Sequence, residues 1–298
     1  MTKEGVKKFN IRRNNAMWAA VFLSPLVIGL LLFVVVPLGY AIALSFAKYN
    51  LFIWDWVQEQ NFTRAFSDTQ FWDAIGNAVV YSLHIPIVMA IAMFFAYHIA
   101  KDFRGSKIYK MAFFLPTICS AVAITFMWKW LFNGEYGPLQ ILMENLFGFE
   151  DKLLDNDHAM GSMMLMSVWS GVGTSLLLYV AAIKNVPQTC LEAARIDGAG
   201  GGTIFFRIVF PLISPTSLYL FITGVIGSMQ GFATFFAMTG GVSPENVVMP
   251  VTIIYMYSGH GWGFEFGYAS ALALILGVMI GGLTILNFIA SKYWVYYD

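Results

Sequence analysis

The stretch Glu192-Ala193-Ala194-Arg195-Ile196-Asp197-Gly198-Ala199-Gly200, running on to Ile208 and Pro211, is a small polar island between two apolar segments, each long enough to cross a bilayer. Pro187 can open a first short helix at its N1 position, Leu191, Ala194 and Ile196 can give it an apolar side, and Asp197-Gly198 supplies turn chemistry. Thr203 can cap a second helix over 204–209, which ends where Pro211 cannot continue the hydrogen bonding. On its own the island is either a docking handle or an ordinary loop. Its surroundings decide between them.

Those surroundings are apolar. Of 298 residues, 58% are hydrophobic and 11% charged, with a mean hydropathy of +0.68, which leaves too little polar surface for a soluble globule of this size. The formal net charge of zero excludes no partner by itself, and nucleic acid is not expected as one. Cys119 and Cys190 lack metal-ligand spacing and read as free thiols. The basic start, Lys3 to Arg13, precedes an apolar stretch far longer than a signal-peptide core, so that segment is expected to remain as an anchor.

Charge-free stretches at 14–47, 74–100, 111–128, 158–183, 208–244 and 266–291 can each hold one crossing of about 20 residues, the third only just. The expected organisation is a cytoplasmic tail at 1–16 and a six-helix membrane domain at 17–290. Its spans lie at about 17–46, 74–100, 109–131, 160–183, 212–237 and 266–290, with a cytoplasmic loop at 184–211 and a cytoplasmic end at 291–298. A seventh apolar stretch, 247–257, is too short and contains Pro250, so it reads as interfacial or re-entrant. Lys3, Lys7, Lys8, Arg12, Arg13, Lys101, Arg104, Lys107, Lys110, Lys184, Arg195, Arg207 and Lys292 then share one side, while the opposite loops carry mainly acids, among them Glu135, Glu144, Glu150, Asp151, Asp155 and Asp157. The positive-inside rule makes the basic side cytoplasmic, and the island with it.

The spans hold few ionisable groups. His84, beside Pro86, is the one mid-span exception, read as a kink partner or cavity wall, and ion-coupled carriers and proton relays ordinarily need more. No Gly-Lys-Ser/Thr phosphate loop occurs, so the chain does not hydrolyse ATP by that chemistry. Two polar zones can line a path for a hydrated solute: Trp169, Ser170, Gly171 and Thr174 in the fourth span, and Ser228, Gln230, Gly231, Phe232 and Phe235 in the fifth. Amides, hydroxyls and rings suit a sugar. The same residues can instead serve close helix packing and backbone bonding, and for most of them the two readings weigh equally. Gln230, costly to bury unused, favours lining.

The island's Glu-Ala-Ala, with Gly198 six residues after Glu192 and then Ile208 and Pro211, resembles the cytoplasmic EAA loop of ABC importer membrane subunits. Asn61-Phe62, Phe71-Trp72 and Asn77, the run Thr239-Gly240-Gly241 followed by Pro244, and 266–271 resemble the carbohydrate branch, the maltose-type and glycerol-phosphate-type larger permeases. This resemblance implies an all-α polytopic fold of the type I ABC importer permease with six transmembrane helices. It implies ATPase coupling through Glu192, Ala193, Ala194, Asp197, Gly198, Ala199, Ile208 and Pro211, and sugar contacts from the two zones above. It also implies a second related permease, two ATP-binding-cassette subunits, an extracytoplasmic solute-binding protein, a sugar substrate and the lipid bilayer of a bacterial cytoplasmic membrane as partners. No cofactor or metal belongs to this non-catalytic chain; ATP and Mg sit on the partner ATPases. An importer for a non-sugar solute, a stand-alone secondary carrier and a membrane enzyme acting on lipid-linked sugar are the competing readings.

Overall fold

The computed structural model describes residues 3–148, 151–240 and 245–296, with side chains from residue 15 onward. Glu150, Gly241 and Pro244, named above, lie outside the described residues. The chain divides into two compact units, one of 1–66 with 257–274 and one of 67–256 with 275–298.

In the first unit, α1 (Lys3–Leu30) passes through a π turn, Leu31–Val35, into α2 (Val36–Ser45). The apolar part, Asn15–Ser45, has a mean hydropathy of 2.8 and buries none of its most apolar window within the chain. A hairpin of β1 (Ala47–Tyr49) and β2 (Trp54–Trp56) follows, paired antiparallel with Lys48 opposite Asp55. Its turn is built by Asn50, whose Oδ1 accepts the Ile53 amide at 2.9 Å while Leu51 sits at φ +73. α3 (Gln60–Ser67) is fastened to the end of α2 by Asn61, whose Nδ2 donates to the carbonyls of Ser45 and Ala47 at 2.9 and 3.0 Å. Arg64 pairs with Glu265 and lies over the Tyr268 ring at 3.9 Å. The hairpin occupies a stretch whose charge pattern gave only an outer loop.

The second unit begins with α4 (Thr69–Ser82), capped by the Asp68 carboxylate on the Phe71 amide at 3.2 Å, and α5 (His84–Ile99). Then come α6 (Ser106–Ile118), α7 (Ala121–Leu131), α8 (Pro138–Phe147) and α9 (Ala159–Lys184). α10 (Gln188–Ile196) and α11 (Gly201–Ile204) lead through a π turn, Phe205–Val209, to α12 (Phe210–Leu212) and α13 (Ser214–Met229). α14 (Ala233–Thr239), α15 (Pro250–Tyr257) and α16 (Phe266–Ser291) complete the order, the last starting in the first unit and ending in the second.

The core is the seam between α5 and α9. Val88, Ala92, Ala96 and Ile99, spaced three and four apart, meet Val172, Leu176, Tyr179, Val180 and Ile183. In lipid such contact stabilises by close packing rather than by escape from water, so small residues matter most. Ala92 and Ala96 are fully buried. On the other flank of α9, a Cβ on Gly173 would overlap the Phe113 carbonyl of α6.

Among the described residues, four helices are long and apolar enough to cross a membrane, and up to six crossings result if each of two bent pairs is one span. The bends change the sequence expectation in two places. At 109–131 the chain turns 96° between α6 and α7, with Cys119 extended at ψ 149. At about 1.5 Å per residue, each half is roughly 20 Å or less, short of the hydrocarbon thickness. At 212–237 the helices 201–212 and 214–229 meet at 64° about Ile213, and the backbone opens again at 230–232. The second island helix also starts earlier and runs further than 204–209. Gly200 is its N-cap with no side-chain cap from Thr203, and the π turn carries it past Pro211. Proline has no amide to give Arg207 and its ring crowds that carbonyl; the wider turn falls immediately before it.

Gly173→Ala is expected to force α6 off α9 and destabilise the chain by about 1–3 kcal/mol, whereas Gly161→Ala, with open space at its Cβ, is neutral or slightly stabilising. Thermal unfolding of the two variants in detergent checks this.

Candidate functional site

A cavity of about 410 Å³ opens within the second unit, walled by α4, α5, α6, α7, α9 and α14. Its lining includes Tyr81, His84, Thr117, Cys119, Thr125, Ser167, Ser170, Gly171, Thr174 and Thr234. The helix ends place these groups. α4 stops at Ser82 and α5 starts at His84, whose Nδ1–H donates to the Tyr81 carbonyl at 2.6 Å. The Ser167 hydroxyl gives its proton to the Met163 carbonyl at 2.8 Å, so the Tyr81 hydroxyl donates to Ser167 at 2.6 Å. Thr117, Thr125 and Ser170 likewise donate to backbone carbonyls of their own helices. Their remaining lone pairs are acceptors. The 96° break between α6 and α7 also brings Cys119 and Ala121 to the wall, where helix termini expose polar backbone.

No Asp, Glu, Lys or Arg is among the described lining residues. The wall offers hydroxyls, a thiol, an imidazole and ring edges. It is chemistry for holding a polar solute.

Of the residues singled out from sequence, Ser170, Gly171 and Thr174 line the cavity. Trp169 does not: its ring stands edge-on to Trp128 at 5.7 Å. Phe235 is buried behind the wall, edge-on to Tyr81 at 4.8 Å. Ser228 is buried, Gln230 is exposed at the end of α13, Gly231 follows it, and Phe232 packs on Phe236 and Tyr255. The structure does not bring these four to the cavity. The cause is the opening at 230–232, where Phe232 takes φ −139 and ψ −66 and re-aims the chain so that Thr234, not Gln230, reaches the wall. Ser167 was legible as a hydroxyl three residues before Ser170 and seven before Thr174 on one helix face. Tyr81, Thr117 and Thr125 depend on the two helix breaks and carry no local signal.

The island is held from behind and bare in front. Leu191, Ala194 and Ala199 pack on the α5–α9 core, while Ile196, expected on the same side, is 86% exposed. It lies one helical turn from Glu192 on the outward face. Glu192, Ala193, Asp197 and Gly198 are exposed, Ile208 and Pro211 half-buried. Gly198 takes φ +77, and the Ala199 amide returns to the Ala194 carbonyl at 2.9 Å. Tyr97 of α5 sits edge-on to Phe205 at 4.9 Å, and its hydroxyl donates to the Gly201 carbonyl at 3.4 Å. Asp102, in the turn after α5, accepts from Lys184 at the end of α9 and from Lys110 of α6. Those hydrogen bonds, Lys184 first, hold its carboxyl below the usual range.

The fold and these two sites define a helical membrane protein of several spans, with a polar cavity among broken helices and a surface segment braced against the cavity's own walls. Residues 14–293 match the model of the binding-protein-dependent transport system inner membrane component family, and the chain belongs to that family. The "Probable ABC transporter permease protein YesP" of Bacillus subtilis is 32% identical over 98% of this chain and 96% of its own length. The "sn-glycerol-3-phosphate transport system permease protein UgpA" of Brucella abortus is 28% identical over 93% of this chain and 95% of its own. Among solved structures, a chain of a bacterial ABC transporter involved in the import of the acidic polysaccharide alginate superposes with a TM-score of 0.82 at 20% identity, covering 95% of this chain and 97% of that one. The likeness of fold extends more weakly to the MetNI methionine ABC transporter, at a TM-score of 0.53 and 12% identity over 76% of this chain and 94% of that one.

A depressed carboxyl is charged above its folded value, so the Asp102 tie contributes above the unfolded carboxylate value and is lost only as pH falls through the lower folded one. Proteolytic sensitivity of the 188–212 segment should therefore stay flat from neutral to mildly acidic pH in the wild type, and be raised throughout that range by Asp102→Asn.

Proposed function

We propose that this chain is the permease subunit of an ATP-driven importer and forms half of the path for a sugar or oligosaccharide delivered by an external binding protein. The observation that carries this reading is the cavity: neutral, rich in hydroxyls, edged by rings, and walled by discontinuous helices. A sugar exchanges its water for such acceptors, and its CH faces meet ring edges. Kinship supports it. The relatives named for glycerol phosphate and alginate handle anions, whereas the lining here has no fixed cation among the described residues, which favours a neutral saccharide or leaves a charged one to the partner permease.

In this reading each bent pair counts as one crossing, giving six, with both termini and the 184–211 segment cytoplasmic. The segment acts as the coupling loop. Its bare front, with Glu192, Ile196 and Phe206 exposed, enters a cleft of the ATPase subunit, while its rear is fixed to α5 and α9. Two such ATPases carry ATP and Mg. A second, related permease completes the path, and the apolar, uncovered Asn15–Ser45 helix meets it or lipid. Closure of the ATPases moves the loop, and with it the helices that wall the cavity, which is a two-state coupling rather than a relay through a wire.

Two measurements test this. Co-purification with candidate ATPases and sugar-dependent ATP hydrolysis are expected to fall at least tenfold in Glu192→Ala and in Gly198→Val, the latter because a β-branched residue is strained at φ +77. Indifference of both readouts to both changes overturns the coupling role, and uptake that survives without any ATPase and follows an ion gradient makes the chain a stand-alone carrier. Ser170→Ala and Thr174→Trp are expected to lower uptake while leaving assembly intact, whereas Trp169→Ala affects stability rather than uptake.

A further inference from the structure

A second cavity, of about 720 Å³, lies where the turn after α5 meets the start of α6 and the end of α9. Arg104, Lys107, Lys110 and Lys184 line it, with Asp102, Phe103 and Ile108. Asp102 is shared by Lys110 and Lys184, so one carboxylate stands against four cations. Arg104 and Lys107 are exposed, and neither is among the described ion pairs. A surplus of positive charge in a concave site is unfavourable when left to itself and attracts an anion.

What lies above the cavity says which anion. Ile108, Met111, Leu115 and Ile118 are 71%, 72%, 64% and 69% exposed. Their spacing of three and four puts them on one face of α6. The helix buries its opposite side, where Phe113 meets the seam and a Cβ on Gly173 would overlap its carbonyl. The stripe climbs for the length of α6, 13 residues or about 20 Å, roughly the depth of one leaflet's acyl chains and headgroup. Phe103 and Tyr109, with ring centroids 5.7 Å apart and both exposed, stand at its foot, where amphipathic rings favour the headgroup level.

We propose that this cavity binds the phosphate headgroup of an anionic phospholipid whose acyl chains lie along the Ile108–Ile118 face of α6. A soluble anion would use the four cations but not the apolar stripe. A protein partner would use both only by bringing acidic side chains to the foot of an apolar face. A molecule with an anionic head and two apolar tails uses both at once. Because Lys184 and Lys110 are also the partners of Asp102, a headgroup here competes for the same ammonium groups that tie α6 and the turn to the end of α9. Lipid composition thereby bears on how firmly the 188–212 segment is braced. The binding itself does not depend on the substrate or on coupling.

The test uses the full chain with whatever subunits co-purify with it. After stripping with detergent, it is offered phosphatidylglycerol and phosphatidylcholine with the same acyl chains, and retained lipid is read by native mass spectrometry. Phosphatidylglycerol is expected to be retained over phosphatidylcholine. Arg104→Gln with Lys107→Gln should weaken that retention about tenfold or more, since each basic residue near a lipid surface contributes appreciably. The charge-keeping pair Arg104→Lys with Lys107→Arg, and Lys292→Gln elsewhere, should leave it unchanged. Equal retention of the two lipids, or no effect of the glutamine pair in a variant that elutes and melts like the wild type, overturns the proposal. So does displacement of the lipid by glycerol phosphate at equal concentration, which would make the site one for a soluble anion. Loss of a co-purifying subunit from the glutamine pair in both lipids would make it a protein contact.

Discussion

The structure depends on one seam. Ala92 and Ala96 let α5 lie close against α9 over its whole length, and everything with a chemical role hangs from one end or the other of that pair. Toward one end, Val88 of α5 touches the space a Cβ on Gly171 would enter, at 3.4 Å, beside the cavity's Ser170 and Thr174. Toward the other, Ile183 and Val186 carry Ile204 and Val209 of the island. A closely packed pair of helices transmits displacement because its interior leaves little free volume to absorb it. The cavity wall and the surface segment are two ends of one stiff body.

Around that seam the fold is assembled from interruptions. α4 yields to α5 at Leu83, α6 to α7 at Cys119 and Ser120, and α13 to α14 at 230–232, and each interruption delivers a residue to the cavity: Tyr81 and His84, Cys119 and Thr125, Thr234. Continuous helices would have buried their polar backbone completely and left the wall to side chains alone.

This explains what could be read from the amino-acid sequence and what could not. α9 and α16 lie where charge-free stretches put them, because composition reports on burial in lipid residue by residue. The island was legible as two helices about Asp197-Gly198 because turn chemistry is local. The cavity was legible only in part. Ser170 and Thr174 share a face of one unbroken helix with Ser167, so periodicity finds them. Gln230 and Thr234 trade places at an opening whose direction is set by Phe232, Phe236 and Tyr255 packing together. That contact joins residues far apart in the chain, and no window of sequence holds it. The β1–β2 hairpin escaped for a different reason, since charge counting asks only on which side a loop lies.

The π turn at Phe205–Val209 holds one residue more than an α-helical turn in the same length. The faces of α11 and α12 are thus set about 100° out of phase with each other, and a helical wheel drawn through the island misassigns one of them. Chain length in this stretch is adjustable by one. Removing a single residue between 205 and 209 closes the bulge into ordinary helix and sets the Pro211 ring against the carbonyl four residues before it. The same small irregularity that lets Pro211 sit in a helix therefore sets the phase between α11 and α12.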